Sequence, residues 1–233
     1  SLTSRGAELP PPVETPSHIE PSPETKPFRV DVLGPIEVWT GTEKADLPPS
    51  KKARGLLAYL ASTGRSHRRE ALIEMFCEGT DDPRAALRWQ LSRLRPALRA
   101  GETEAIHTTR EEVTLDLSVV QVDFQRVAEA AKAGFDTLEP NHLDNLATLY
   151  RGKFLGGMEL PDLHRFQAWR VASEDEVDAW QVGLHRAGLA CAERMPELAL
   201  RHGRALRALL PEDPRIDIEV ERLAQRVRSE RLS

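Results

Sequence analysis

The chain has 233 residues, 40% hydrophobic and 30% charged, with a formal net charge of −5. That is the composition of a folded protein with room for one or two cores. No apolar run approaches the ~20 residues of a membrane span and no secretory signal is visible, which points to the cytoplasm and to no membrane partner.

The average charge hides a polarity. Residues 47–110 carry twelve Lys/Arg against seven Asp/Glu, whereas residues 111–190 carry seven against fourteen. Association follows the local field rather than the total, so the basic block is the part to examine for an anionic partner.

In chain order, residues 1–26 are rich in Pro, Ser, Thr and Glu with almost nothing apolar, which reads as a disordered or polyproline-like leader or linker. From Phe28 the pattern is β. Phe28, Val30 and Val32 alternate, Gly34-Pro35 interrupts, and Ile36, Val38 and Trp39 resume before a turn at Thr40-Gly41. Two or three short antiparallel strands are expected, ending near Leu47-Pro48-Pro49. Ser50 then caps a helix with Ala53, Leu56, Leu57 and Leu60 inside, Lys51, Lys52 and Arg54 outside, and Gly64 at its end. A second helix is expected from a cap at Ser66 through HRREALIEMFCEG, burying Leu72, Ile73 and Phe76. Arg68 and Arg69 at its start oppose the helix dipole, a placement that makes sense if a phosphate approaches. From Leu47 to Arg69 there are six Lys/Arg and no acidic residue.

The run DDPRAALRWQLSRLRPALRAG, residues 81–101, is the most informative in the chain. Asp81 or Asp82 suits the N-cap, Pro83 the first turn and Gly101 the position past the end, predicting a helix over 83–100. Leu87, Leu91, Leu94 and Leu98 form the apolar stripe, and Arg84, Arg88, Ser92, Arg95 and Arg99 form a second stripe turned roughly 100° away. With Arg93 the helix holds five arginines and no acid, where a solvated face normally mixes its charges. Such a face suits phosphates and base edges; the alternative is an arginine-rich surface helix with no ligand. Pro96 removes one backbone hydrogen bond near the last turn. Trp89 lies roughly 200° from Leu87 on the same helix, and fits either packing on a neighbouring element or contact with a sugar or base.

Ile106 to Leu117 alternates as a hairpin with Thr109-Arg110 at its tip. The order of two strands, three helices and a hairpin is that of a winged helix-turn-helix, whose third helix enters the major groove while the wing reaches the neighbouring groove or backbone. From Asp123 onward helices are expected near 123–133, 142–154, 163–193, 196–209 and 214–230. The longest carries a seam of Phe166, Trp169, Val177, Trp180, Leu184 and Ala187. Short loops between such helices suggest a helical-hairpin array of tetratricopeptide type, without a clean 34-residue repeat. The fold class expected is therefore mainly α with small β: a leader over 1–26, a winged helix over 27–118 and an all-α array over 119–233.

FRVDVLGPIEVW, LPPSKKARGLLAYLASTGRSHRREALIEMF and DDPRAALRWQLSRLRPAL, followed by VDFQRVAEAAKAG and LYRGKFLGGMELPDLHRFQAWR, resemble the N-terminal module of bacterial transcriptional regulators of the SARP/AfsR type. Those proteins join a winged helix to a bacterial transcriptional activation domain. The resemblance covers roughly residues 28–230. It implies that Arg88, Ser92 and Arg95 face bases or their phosphates, with Arg84, Arg93 and Arg99 flanking. Lys51, Lys52, Arg68 and Arg69 would touch the DNA backbone and Arg110 would serve the wing. It further implies double-stranded DNA and RNA polymerase or other transcription machinery as partners, a homodimer through the helical domain, and an activator, with repression left open by the residues themselves. The sequence departs from the family at Phe76-Cys77, where a Trp is usual, and at Glu111-Glu112, where a Gly-Tyr step is usual and two carboxylates oppose phosphate. Many members continue into further domains, so a piece of a longer protein is expected.

No catalytic set is present: no phosphate-cradling Gly-rich loop, no GxSxG, no HExxH and no Cys/His cluster. No enzyme, cofactor or metal is expected. Cys77 and Cys191 read as buried thiols, with a disulfide between them the minor alternative. The seven histidines are scattered and read as caps or surface residues rather than ligands, and Asp175-Glu176 as a solvated pair. Trp169 and Trp180 read as core. The rival from another class is a winged-helix and helical-array module that binds protein partners within a larger signalling protein and has lost DNA binding. The acidic helical half and acidic wing favour it; the basic character of residues 47–69 and 83–101 favours DNA.

Overall fold

Phe28, Val30 and Val32 are completely buried because their alternation puts all three on one face of a strand. That strand, β1 (Phe28–Asp31), pairs antiparallel with β2 (Glu37–Thr40), Val30 opposite Val38, and β3 (Glu43–Lys44) follows. The structure is a computed structural model that describes residues 26–231. The leader expected over 1–26 lies outside the described residues except for Lys26, whose ammonium donates to the Leu117 carbonyl at 2.6 Å.

Helix α1 (Lys51–Thr63) starts where predicted: the Ser50 hydroxyl accepts from the Ala53 amide at 3.3 Å, and Gly64 ends it with φ +61°. The next segment departs from expectation. Ser66 is not an N-cap; its hydroxyl donates to Glu112 at 2.9 Å. His67–Arg68 forms a strand, β4, that pairs with the wing, and α2 (Arg69–Phe76) begins only after it. Backbone pairing with a segment more than forty residues away captured two residues that local propensity assigns to a helix. Helix α3 (Pro83–Leu94) is capped by Asp82, whose carboxylate accepts from the Ala85 amide at 2.9 Å. It stops earlier than the predicted 83–100. Pro96 has no N–H to continue the ladder, so the chain tightens to a 3₁₀ turn over Arg95–Leu98. Arg99–Ala100 then forms β5, hairpinned to β6 (Thr103–Glu104) around Gly101 at φ +59°. Gly101 therefore serves a hairpin rather than a helix end, and Arg99 stands on a strand.

The wing is β7 (Ile106–Thr108) and β8 (Glu112–Leu115), with Ile106 opposite Leu115. Beyond it β9 (Val120–Val122) returns to the first sheet and runs parallel to β1, giving the order β3-β2-β1-β9. The sequence reading lacked this strand. Helix α4 (Asp123–Ala133) follows directly. The buried carboxylate of Asp123 accepts from the Val32 and Leu33 amides at 2.9 and 2.8 Å, tying the end of β1 to the start of α4. Burial pushes that carboxyl up to about 6, against the lowering effect of those amides.

Helix α5 (Pro140–Ala147) ends well before the 154 expected. The following residues run instead along the β1–β2 loop, with Arg151 and Leu155 amides donating to the Leu33 and Val32 carbonyls at 2.7 and 3.0 Å. Gly34 permits that approach: a Cβ there would stand 3.0 Å from the Arg151 Cβ. Helices α6 (His164–Ala190), α7 (Pro196–Leu209) and α8 (Pro214–Glu230) match their predicted positions closely and pack as successive antiparallel hairpins. The fold is a winged helix followed by a helical array, mainly α with small sheets.

One core crosses from the winged helix into the array. Tyr59 of α1 meets Trp169 of α6 edge-on at 4.9 Å, and Phe76 of α2 meets Phe166 of α6 at 5.4 Å. Gly55 lets the two come together, since a Cβ there would stand 3.0 Å from Leu160 and 3.3 Å from the Phe166 ring. Phe76 thus occupies the place where a Trp was expected and fills it as core. A second apolar cluster lies among α6, α7 and α8, built on residues such as Leu189, Leu206, Val220 and Leu223.

Three histidines depart from the cap-or-surface expectation. His67, His185 and His202 are buried. His67 stacks on Tyr59 at 4.7 Å, and its Nε2 pairs with the Thr63 hydroxyl at 2.6 Å. His185 and His202 join α6 to α7 through their Nδ1 atoms at 2.9 Å, in space left by Gly188 beneath the His202 ring. Burial pushes His67 and His185 down to about 4, helped by Arg65 and His202 respectively, so both are neutral at pH 7. Cys77 is buried and Cys191 half-buried, both as free thiols.

Candidate nucleic-acid interface

Leu87, Gln90, Leu91 and Leu94 face the core from α3, and the remaining surface of the helix is turned outward. Arg84, Arg88, Trp89, Ser92 and Arg93 are all exposed. Core packing of the leucine stripe dictates this: once one side is buried, helical geometry places the arginines on the other. Arg93 stacks its guanidinium over Trp89 at 5.8 Å, and the Ser92 hydroxyl donates to the Trp89 carbonyl at 2.7 Å.

Two clefts lie along the helix, one toward each end. The first, about 600 Å³, lies between α2, the N-terminal half of α3 and the wing tip, and brings Arg69, Arg84, Arg88 and Arg110 together beside Glu70, Ile73, Thr109 and Glu111. Arg69 builds this cleft as well as lining it. Its backbone amide donates to the Glu111 carbonyl and its Nε to the Thr109 carbonyl, both at 2.8 Å, so the wing tip is fastened to the start of α2. The Thr109 hydroxyl accepts from the Glu111 and Glu112 amides at 3.2 and 3.0 Å and shapes the turn. Glu112 is occupied by Ser66, while Glu111 stays exposed in the cleft.

The second cleft, about 530 Å³, is lined by Ser92, Arg95, Pro96, Arg99, Gly101 and Glu104. Here Arg95 is anchored: its Nε lies 2.9 Å from Glu104, and its Nη2 donates to the Thr108 hydroxyl at 3.0 Å. It ties the end of α3 to β6 and to the wing strand β7. Arg99 lies beside it on β5. Arg68 is exposed on β4. Lys51 and Lys52 stand on the first turn of α1 and line neither cleft; the charge of Lys52 acts on the Cys77 thiol at the far end of α2 from Arg69. Burial raises that thiol above its ordinary value, with Lys52 lowering it.

Among the described residues Arg84, Arg88, Arg99, Arg110, Arg68, Lys51 and Lys52 have no ion pair; of the α3 arginines and their 3₁₀ extension only Arg95 has one. The structure therefore brings together Arg69, Arg84, Arg88 and Arg110 toward the start of the exposed helix, and separately Ser92, Arg95 and Arg99 toward its end. The feature the sequence reading left open, between packing on a neighbouring element and standing free for a ligand, is Trp89, which is 53% exposed with the Arg93 guanidinium over its ring. Its position opposite Leu87 was the available signal. Among the described residues no group of His, Cys, Asp and Glu could hold a metal ion, and no helix is long and apolar enough to cross a membrane.

No family model matches the chain. Regulatory protein AfsR of Streptomyces griseus is 32% identical over 200 residues, covering 79% of this chain and 20% of that protein. The chain thus spans about a fifth of the length of the curated relative it matches. Among solved structures, EmbR of Mycobacterium tuberculosis, determined in complex with a low affinity phosphopeptide, is similar with a TM-score of 0.52 and 19% identity, over 86% of this chain and 66% of that one. At that identity the likeness is one of fold.

Proposed function

The chain is a relative of the SARP/AfsR-type regulatory proteins over 79% of its length, and from that premise we propose that it is a sequence-specific DNA-binding transcription regulator. In this reading α3 enters the major groove with Arg84, Arg88 and Arg93 toward bases and phosphates. Arg69 and Arg110 in one cleft, and Arg95 and Arg99 in the other, meet the two strand backbones. Ser92 lies between them, and Lys51, Lys52 and Arg68 extend the basic field. Arg95, already held by Glu104 and Thr108, is better suited to aligning the helix with the wing than to reading a base. The helical array would supply the contact with RNA polymerase or other transcription machinery, and the homodimer contact.

The observation that carries this reading is the uncompensated arginine face of α3. Unpaired guanidinium groups gathered on one convex surface attract phosphate through charge and bidentate hydrogen bonding. Each phosphate neutralised steepens the salt dependence of binding by about 0.9 in log–log slope. The test is fluorescence-anisotropy titration of the chain against a random 30-bp duplex across a salt series, beside Arg84→Ala/Arg88→Ala. A steep negative slope that the double variant flattens supports the reading. Absence of binding even at low salt overturns it and favours the rival, a protein-interaction module.

A further inference from the structure

The exposed surface of α3 is ordered in a way its arginine content conceals. At roughly 100° per residue, Ala85 and Trp89 fall within ~30° of the line directly opposite the leucine stripe, with Ser92 and Arg93 roughly 50° to either side. Arg84 and Arg88 lie on one flank of that ridge and Arg93 on the other. The part of the helix that projects furthest from the protein is therefore uncharged, and its one large side chain is Trp89, 53% exposed. The Ser92 hydroxyl donates to the Trp89 carbonyl, which commits its hydrogen to the helix. Arg93, over the indole at 5.8 Å, braces the ring from one side.

A helix seated in a groove sends its flanks toward the two backbones and its apex toward the base edges. Long arginine side chains on the flanks reach phosphates and the outer base edges; the apex meets whatever the middle of the floor displays. In the major groove the apolar group on display is the C5-methyl of thymine. An indole held at the apex gains by covering that methyl, whereas cytosine, with a hydrogen at the same carbon, leaves the ring unfilled.

We propose that Trp89 determines sequence preference by packing its indole against a thymine methyl in the major groove, an inference that rests on the reading of α3 as the DNA-binding helix. Burying one such methyl corresponds to about a fourfold gain in affinity.

The test places the change on the DNA. A 30-bp duplex is enriched from a randomised pool with the full chain. Its thymines are then replaced singly by uracil, which pairs alike but lacks the methyl. One thymine, or two adjacent ones, should each weaken binding about fourfold when demethylated, and Trp89→Ala should bind the thymine and uracil duplexes equally. Two results overturn the role of Trp89 while leaving DNA binding in place: uracil tolerated at every position, or discrimination retained in Trp89→Ala. A pool that binds without enriching any sequence overturns base reading by this helix altogether. Failure to bind any duplex at low salt removes the underlying reading, and this one with it.

Discussion

Arginine does opposite things in the two halves of this molecule. In and beside α6 to α8 several arginines face carboxylates on neighbouring turns and helices: Arg194 with Glu139 at 2.7 Å, Arg201 with Asp144 at 2.7 Å, Arg226 with Glu193 and Glu230 at 3.0 and 2.9 Å, and Arg231 with Glu197 at 2.7 Å. On α3 the arginines face outward and, among the described residues, only Arg95, past the helix end, has an ion pair. The difference lies in the surroundings, since the residue is the same. In the array these positive charges are met within the chain. On the winged helix the charge is left for something else to cancel. The net charge of −5 sums these two situations and describes neither.

Four experiments would break or sharpen that contrast. The largest effect is expected where the halves are joined. Phe166 is completely buried against Phe76 and Trp169, so Phe166→Ala should cost about 3–5 kcal/mol. Urea unfolding followed by separate probes of each half should show both losing stability together. Two independent transitions, with the winged helix unaffected, would mean that the shared core does not couple them.

Arg88→Ala should weaken binding to a preferred duplex by about 1–3 kcal/mol and change the melting temperature little, because the side chain is exposed and unpaired. An equal loss on every sequence would reduce Arg88 to a phosphate contact.

The third test is acid. The folded-state values of His185, pushed down to about 4, and of His202, also lowered by burial, lie below the ordinary histidine value. The stability they contribute is therefore present above about 6.5 and is lost as pH falls toward about 4. Asp144, 3.8 Å from His202, opposes its lowering, and Arg201 reinforces it. The contact between α6 and α7 should loosen between pH 6.5 and 4, in the same window in which His67 loosens the strand paired with the wing, and histidine and methyl resonances monitored by NMR would show it. A pH-independent α6–α7 contact would contradict the buried neutral pair.

The smallest effect is expected from Arg201→Ala. Its exposed pair with Asp144 contributes less than about 1 kcal/mol, and DNA affinity should not change. A loss of binding as large as that of Arg88→Ala would erase the distinction between the two halves.

Much of this architecture is legible along the chain. The Ser50 cap, the Asp82 cap with Pro83, the leucine stripe of α3 and the apolar seam of α6 each lie within a few turns, and local helical geometry suffices to read them. The misreadings share one cause. His67–Arg68 looks helical until β8 pairs with it, residues 148–154 look helical until the β1–β2 loop takes their amides, and β9 has no meaning without β1. The buried histidines belong to the same group, since a histidine acquires burial only from what packs over it.

The sequence by itself determined where α1, α3 and α6 to α8 begin, the buried stripe of α3 and the concentration of arginine on it, because periodicity and capping act over three or four residues. Tertiary structure alone decided which backbone amides pair across the chain, which arginines find a carboxylate and which stay free, and that Trp89 stands uncovered at the apex of its helix. Those are relations between residues tens of positions apart, settled by the core shared between α1, α2 and α6.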